Sequence, residues 1–307
     1  MNKIPVIVVA GATASGKTSL AIALAKAFGG EVISADSMQI YREMNIGTAK
    51  PTTEEMDGVP HHILDFLSPE DSFSVAEFCE MAHKTAAEIH KRGKLVIVAG
   101  GTGLYIDSFV NDTDFDEEES GEIRKELEKR AETEGAEKLL AELSEFDSKT
   151  AEKLHPNNVK RIIRAIEFYK IHGMPISEHQ AATKLKESRY RPLYLMIDHT
   201  RDVLRARIDK RVDIMLDSGL IEEARALYER KEVLSKTAAQ AIGYKELFGV
   251  FDGSMTVEVA AELLKTRTKQ YAKRQLTWFR RNEKIHLLNP ESALEDAKKL
   301  VEEFLKG

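Results

Sequence analysis

One cysteine, one tryptophan and eight prolines among 307 residues leave several kinds of protein out of reach. Cys79 has no second thiol to pair with and no companions for a cysteine-rich zinc module, so neither a disulfide scaffold nor thiol redox chemistry is expected. It sits in a helical pattern, where a buried structural thiol is the expectation. No apolar run approaches the roughly 20 residues that span a bilayer. The opening Met1-Asn2-Lys3 leads straight into an apolar strand pattern without a signal-peptide core. We therefore expect a cytoplasmic protein with no membrane partner. Surplus positive charge is missing too. The formal net charge of −6 argues against indiscriminate binding to nucleic acid, although charge segregated along the chain can override the sum. What is present suffices for a globular protein, with 42% hydrophobic residues to build a core and 31% charged residues to cover it. A monomer of one large domain or two fits that length.

The chain is organised around Gly11-Ala12-Thr13-Ala14-Ser15-Gly16-Lys17-Thr18, which matches the phosphate-loop pattern G-x-x-x-x-G-K-[ST]. The context agrees. Ile4 to Ala10 is an apolar run too short for a helix, and Ser19 to Phe28 is rich in helix-forming Ala and Leu, so strand, loop and helix follow in the required order. Glycines let backbone N–H groups curl round an anion, and the helix N-terminus adds its positive dipole end. Lys17 can bridge phosphate oxygens, and the Thr18 hydroxyl can hold Mg²⁺. A chance strand–turn–helix with a surface lysine is the bland alternative. The motif does not say whose phosphates are held.

Glu31 to Ser34 reads as a second strand running into Ala35-Asp36-Ser37-Met38-Gln39-Ile40-Tyr41. In an α/β sheet the carboxyl ends of strands form the ligand crevice, so Asp36 belongs near the phosphate loop. Three readings of it stay open: a Mg²⁺ ligand, a turn or helix cap, or a general base. Residues Glu43 to Leu67, broken by Gly47, Pro51, Gly58 and Pro60, read as a long loop. Its adjacent His61 and His62 lack metal-ligand spacing and read as a polar wall of the site or as structural hydrogen-bonders. Ser74 and Glu77 form a capping box for a helix reaching Gly93. Leu95 to Ala99 is a fully apolar strand that ends in Gly100-Gly101-Thr102-Gly103-Leu104-Tyr105, a second glycine turn at the same edge.

At Asn111 to Glu122 the composition turns acidic, with Asp112, Asp114, Asp116, Glu117, Glu118 and Glu119. A domain boundary is expected there. From Glu122 to about Arg189 the periodicity is helical, with Leu127, Leu139, Leu143, Ile162, Ile163 and Ile166 among its apolar positions. Pro192 to Ile197 then returns to strand, which makes the helical stretch an insertion, residues 116–189, in a core of residues 1–115 and 190–307. Asp198 at that strand's end rivals Asp36 as a magnesium-associated carboxylate. The helix from Arg201 places Arg207 and Arg211 on one face, opposite Leu204, Ile208, Met215 and Leu216. Local pairs with Asp209 and Asp213 are the plainer explanation of its arginines, and closure over phosphate is the sharper one. Gln240 to Lys245 is a glycine-centred turn. Lys265 to Lys284 carries eight cations against Glu283, and on a helix Arg267, Tyr271, Arg274, Trp278 and Arg281 share a face suited to nucleic-acid backbone and bases. Ile285 to Leu288 and Ser292 to Leu305 read as a last strand and a closing helix.

Taken together, several of these motifs resemble the bacterial tRNA isopentenyltransferases, which prenylate adenine. They are the phosphate loop, Asp36-Ser37-x-Gln39-x-Tyr41, Gly100-Gly101-Thr102-Gly103-Leu104-Tyr105, Arg207-Ile208-x-x-Arg211-Val212-Asp213, Ile242-Gly243-Tyr244 and Arg274-Gln275-x-Thr277-Trp278-x-Arg280. The likeness runs through nearly the whole chain in order, and the lack of a cysteine-bearing C-terminal extension fits the bacterial members. It implies an α/β fold, with a P-loop NTPase-like parallel sheet flanked by helices and an inserted all-helical module. It also implies that dimethylallyl diphosphate takes the place of a nucleotide, with Gly11 to Thr18 holding the diphosphate and Thr18 holding Mg²⁺. Asp36 is then the general base, Thr102 orients the amine or diphosphate, and Arg211 stabilises the leaving group. RNA contacts are implied at Asp36, Ser37, Met38, Gln39 and Thr102. Arg124, Lys160, Arg161 and Arg164 on the insertion, for which a solvated face is the bland explanation and phosphate-backbone contact the sharper one, are implied to grip the anticodon arm. So are Gln240, Gly243, Tyr244, Arg274, Gln275, Trp278 and Arg281 near the C-terminus. Transfer to free adenine nucleotides, small-molecule phosphorylation and RNA-stimulated ATP hydrolysis are the competing activities.

Overall fold

A computed structural model describes residues 3–113, 115, 121–185 and 187–307. Asp114, Asp116, Glu117, Glu118 and Glu119 of the acidic stretch lie outside the described residues. The chain divides into two compact units, one of Met1–Val110 with Ser188–Gly307 and the other of Asn111–Glu187.

In the first unit the apolar runs become β1 (Ile4–Ala10), β2 (Gly30–Ser34) and β4 (Leu95–Gly100), with the edge strand β3 (His61–His62) between the last two in sequence. The first three alternate with α1 (Lys17–Phe28), the short α2 (Thr53–Met56) and α3 (Val75–Lys91), and α4 (Gly103–Val110) closes the first half. The return segment contributes β5 (Tyr190–Ile197) and β6 (Ile285–Leu288). All strands pair in parallel, in the order β3-β2-β4-β1-β5-β6. Parallel neighbours need crossovers, and helices supply them, so the strands at the middle are covered on both faces. Val6, Ile7, Val8 and Val9 of β1 are fully buried. Leu20 and Leu24 of α1 pack with Ile7, Val9, Ile97 and Leu195 in one apolar cluster. Elsewhere in the unit Phe78 of α3 stacks on Tyr105 of α4 at 4.3 Å.

Because β2, β4 and β1 are adjacent, the segments leaving their carboxyl ends lie side by side: Ala35–Tyr41, the glycine turn and the phosphate loop. The stretch expected as one long loop contains both α2, closed by a Thr52–Glu55 capping box, and β3, which pairs His61 with Val32 and His62 with Ile33. His62 Nε2 lies 2.7 Å from Glu31, which also receives Arg92, and His61 Nδ1 lies 2.9 Å from the Val59 carbonyl. Both are structural hydrogen-bonders.

After β5 come α10 (Arg201–Asp217), α11 (Leu220–Tyr228), α12 (Phe248–Phe251), α13 (Val257–Phe279) and, after β6, α14 (Ala293–Lys306). The basic helix therefore begins eight residues before Lys265, capped by Thr256, and ends at Phe279, so Arg281 stands beyond it in the turn to β6. The second unit holds α5 (Gly121–Thr133), α6 (Ala136–Phe146), α7 (Ser148–Ala151), α8 (Val159–His172) and α9 (Ile176–Leu185) around Leu127, Leu139, Leu143, Ile162 and Ile166. Among the described residues no helix is long and apolar enough to cross a membrane.

Candidate active site

The phosphate loop enters α1 through Gly16, whose φ of 93° is open to glycine at little cost, and Ala14 holds φ 61° without that freedom. Gly16 offers no side-chain cap, so the first N–H groups of α1 remain available to an anion. Ser15 Oγ is buried with no partner, a polar atom aimed at nothing in the protein itself. Lys17 reaches the Ala12 carbonyl only at 3.4 Å. Burial pulls its ammonium down to about 8, Asp36 opposes that pull and Arg211 adds to it.

Arginine closes the loop from above. Arg207 Nε donates to the Ala14 carbonyl at 2.8 Å, and half-buried Arg211 lines the cavity with Lys17. Burial lowers the Arg211 guanidinium, with Asp36 opposing. The local pairing expected for these arginines does not occur, because Asp209 pairs with Lys269 and Asp213 with Lys265, both on α13. Nor do Ile208 and Arg211 stand on opposite sides, since both line the same cavity along with Val212 and Met215. Asp198 takes no part there: it accepts from Arg280 at 2.9 Å and is absent from the cavity wall.

Asp36 lines that cavity, and its Oδ1 accepts the Met38 N–H at 3.0 Å, an Asx turn that leaves the second oxygen for other work. Thr102 stands beside it, its Oγ1 accepting the Ser37 N–H at 3.1 Å and donating to Ser37 Oγ at 3.3 Å. The glycines of the turn are there for close approach. A Cβ on Gly100 would lie 2.1 Å from the Ala35 carbonyl, one on Gly101 2.1 Å from Gln275 Nε2, and one on Gly103 2.3 Å from the Trp278 ring. Gln275 is buried and joins two loops, since its Nε2 donates to the Gly101 carbonyl at 2.9 Å while its Oε1 accepts the Thr13 N–H at 2.9 Å. Trp278 is likewise engaged within the protein, its Nε1 donating to Asp107 at 2.8 Å. Tyr271, which the sequence offers only as an aromatic on the basic face, lines the cavity with its phenol near Thr102 and Gln275. Burial, then Asp36, drive its phenol upward, so it is neutral.

The resulting cavity is about 290 Å³. Lys17, Thr18 and Arg211 line it for an anion, Ile208, Val212, Met215 and Leu264 give it apolar wall, and Asp36 supplies the carboxylate. Gln39, Gln240 and Arg274 also face it. The IPP transferase family model matches residues 39–282. The chain belongs to the IPP transferase family. It is 46% identical to a tRNA dimethylallyltransferase of Lachnoclostridium phytofermentans over 97% of this chain and 96% of the relative. Its fold is similar to a Bacillus halodurans tRNA isopentenylpyrophosphate transferase, at TM-score 0.74 and 41% identity over 100% of this chain and 97% of that one. It is also similar to a eukaryotic dimethylallyltransferase described as acting on tRNA, at TM-score 0.82 and 32% identity over 94% and 74% of the two chains. With these relatives the α/β sheet is a P-loop NTPase-like fold.

Other family-motif positions are placed away from open surface. Tyr244 is buried, its hydroxyl donating to Glu223 at 2.7 Å and its ring against Gly47, where a Cβ would come within 2.5 Å. Gly243 turns at φ 111° with its N–H donating to Glu246. Within the second unit, Lys160 and Arg161 are exposed on α8, whereas Arg124 and Arg164 both meet the buried Glu167. Among the described residues no group of three His, Cys, Asp or Glu could cage a metal. A hydroxyl such as Thr18, completed by substrate oxygens and water, is instead the donor set that Mg²⁺ accepts, and it lines the cavity beside Lys17.

Proposed function

We propose that this IPP transferase moves the dimethylallyl group of dimethylallyl diphosphate onto N6 of the tRNA adenine next to the anticodon and releases diphosphate. One observation carries the reading: a single cavity has a phosphate loop backed by Arg211, an apolar wall of Ile208, Val212, Met215 and Leu264, and a carboxylate. A small-molecule kinase could share the loop, the arginine and the carboxylate, and the apolar wall is the part it would not need. The amine attacks the allylic carbon while the C–O bond to diphosphate breaks, so negative charge gathers on the leaving group. The loop N–H groups, Lys17 and Arg211 stabilise that charge, and burial strengthens their effect. The Thr18 hydroxyl would hold Mg²⁺ there, and the ion would supply further neutralisation of that charge. Asp36 takes the N6 proton as the C–N bond forms, with Thr102 beside it orienting the amine.

The adenine has to leave its stack to reach this cavity, at a cost of roughly a few kcal/mol that contacts along its edge offset. Arg274 sits over Tyr271 at 5.5 Å at the same cavity, a cation and aromatic pair suited to a base or its phosphate. Lys160 and Arg161 of the second unit supply further backbone contacts to the anticodon arm. A tRNA substrate supports a cytoplasmic location. The test is incubation with unmodified tRNA, labelled dimethylallyl diphosphate and Mg²⁺. Label should enter the anticodon loop and vanish when the adenine is replaced. Label on free AMP with none on tRNA would favour the nucleotide-prenylating activity, and phosphate release from ATP would favour a phosphotransferase.

A further inference from the structure

The loop Asn45–Thr48 forms a wall of the cavity through Gly47 and Thr48, yet it has no regular structure of its own. A carboxylate from a distant helix holds it. Glu223 in the first turn of α11 accepts the backbone N–H groups of Asn45 at 2.9 Å, Ile46 at 2.9 Å and Gly47 at 3.0 Å, and the Tyr244 hydroxyl at 2.7 Å. Three successive N–H groups on one anion form a nest, the arrangement that elsewhere grips phosphate. The packing leaves it no slack: Tyr244 fills the space where Gly47 lacks a side chain, and a Cβ on Gly243 would lie 3.1 Å from the Gly47 carbonyl. From this loop the order passes to Gln39, whose Nε2 donates to the carbonyls of Thr48 at 3.2 Å and Ala49 at 3.1 Å. Gln39 in turn lines the cavity two residues beyond Ser37 and three beyond Asp36.

We infer that Glu223 is a positioning residue for the base-accepting side of the cavity, setting Gly47, Thr48 and Gln39 where the adenine is received. It touches no reacting atom and acts through the loop. The inference rests on the transfer reaction proposed above. Because Lys17 and the phosphate-loop amides lie on other elements, the effect should fall on the base and spare the diphosphate. Small displacements of a positioned reactant can lower a rate by about 10²-fold, which sets the scale.

The experiment compares wild type with Glu223→Gln, Glu223→Asp and Tyr244→Phe. The glutamine variant turns a donor toward three donors. We expect its single-turnover transfer rate at saturating tRNA to fall by roughly 10- to 100-fold, while affinity for inorganic diphosphate stays within about threefold. Glu223→Asp keeps the charge with a shorter reach and should recover part of the rate. Tyr244→Phe removes one donor and leaves the ring against Gly47, so it should lose less than the glutamine variant, and it serves if that variant fails to fold. Amide hydrogen exchange at Asn45 to Gly47, which needs no substrate, should quicken in the Gln variant. Unchanged exchange, an unchanged rate in a folded variant, or equal losses of rate and diphosphate affinity would each overturn the inference. Quickened exchange in a protein whose wild type transfers nothing to tRNA would instead overturn the proposed activity and leave the loop assignment standing.

Discussion

The two compact units differ in what several of their cations face. In the unit built on the sheet, Lys17 and Arg211 face a shared cavity, and the acids near α10 are engaged by α13, with Asp209 on Lys269 and Asp213 on Lys265. In the helical unit, Arg124 and Arg164 converge on Glu167, and Arg130 meets Glu134 and Glu142. Charge held beside a cavity stays ready for an incoming anion, whereas charge neutralised within a helical bundle organises the bundle. The Arg130 pairs, which are partly exposed, contribute little each, about 0 to 1 kcal/mol, whereas those to Glu167 reach a buried carboxylate. The difference teaches that a basic residue's role depends on which carboxylates the fold brings within reach. It also predicts that the sheet unit alone holds the diphosphate and that the helical unit matters only to RNA.

Excision breaks or sustains that contrast most directly. Ser188 Oγ donates to the Val110 carbonyl at 2.5 Å, so the ends of the sheet unit already meet and a short flexible linker can replace residues 111–187. The shortened protein should fold and bind diphosphate within a few-fold of wild type while transfer to tRNA falls below detection. Calorimetric titration with diphosphate, alongside the transfer assay, reads both. Loss of diphosphate affinity in a folded product would mean the units share the site.

Within the sheet unit, Asp36→Asn keeps the acceptor for Met38 N–H and removes the proton acceptor. Its single-turnover rate should drop by roughly 10²–10⁴ with diphosphate affinity near wild type. Weakened diphosphate binding, rescued by excess Mg²⁺, would make Asp36 a metal ligand instead. A loss of about 1 kcal/mol of stability with a normal saturated rate would reduce it to a cap.

The cavity charge also predicts a pH response. Lys17 in the empty protein is drawn down to about 8, below its ordinary 10.5, so above pH 8 the ammonium that an anion needs is progressively lost. Diphosphate affinity, measured without divalent cation, should fall by up to about tenfold per pH unit beyond 8, with proton uptake on binding. For the same reason the unfolded chain holds more protons than the empty folded one between pH 8 and 10.5. The unfolding free energy therefore rises with pH across that window. A Lys17→Met variant with the same pH profile would reassign the effect. The smallest expected change is at the RNA face: Arg274→Ala, and separately Arg281→Ala, should each reduce the log–log salt slope of tRNA binding by about one. Identical slopes in wild type and both variants would remove those side chains from the backbone contacts.

Much of the site was legible because some chemistry is written in contiguous residues. Gly11 to Thr18 between an apolar run and a helix matched a phosphate loop in pattern and context, and Asp36 and Thr102 followed from strand ends in a parallel sheet. The same reading left Glu223 invisible, since an acid in the first turn of a helix is an ordinary partner for the helix dipole. It also made Gln275, Trp278 and Tyr244 look like free groups on a surface. The structure instead binds Gln275 to Thr13 and Gly101, Trp278 to Asp107, and Tyr244 to Glu223.

By itself the sequence determined the parallel sheet, the inserted helical unit and the place of the proposed anion site, because local periodicity and short-range backbone geometry encode each of them. Tertiary structure decided which side chains face the cavity and which hold its walls. Gly101 and Gln275 are 174 residues apart, and Gly47 and Glu223 are 176 apart. Hydrogen bonds and close contacts at such separations depend on how helices dock on the sheet, and no local pattern records that.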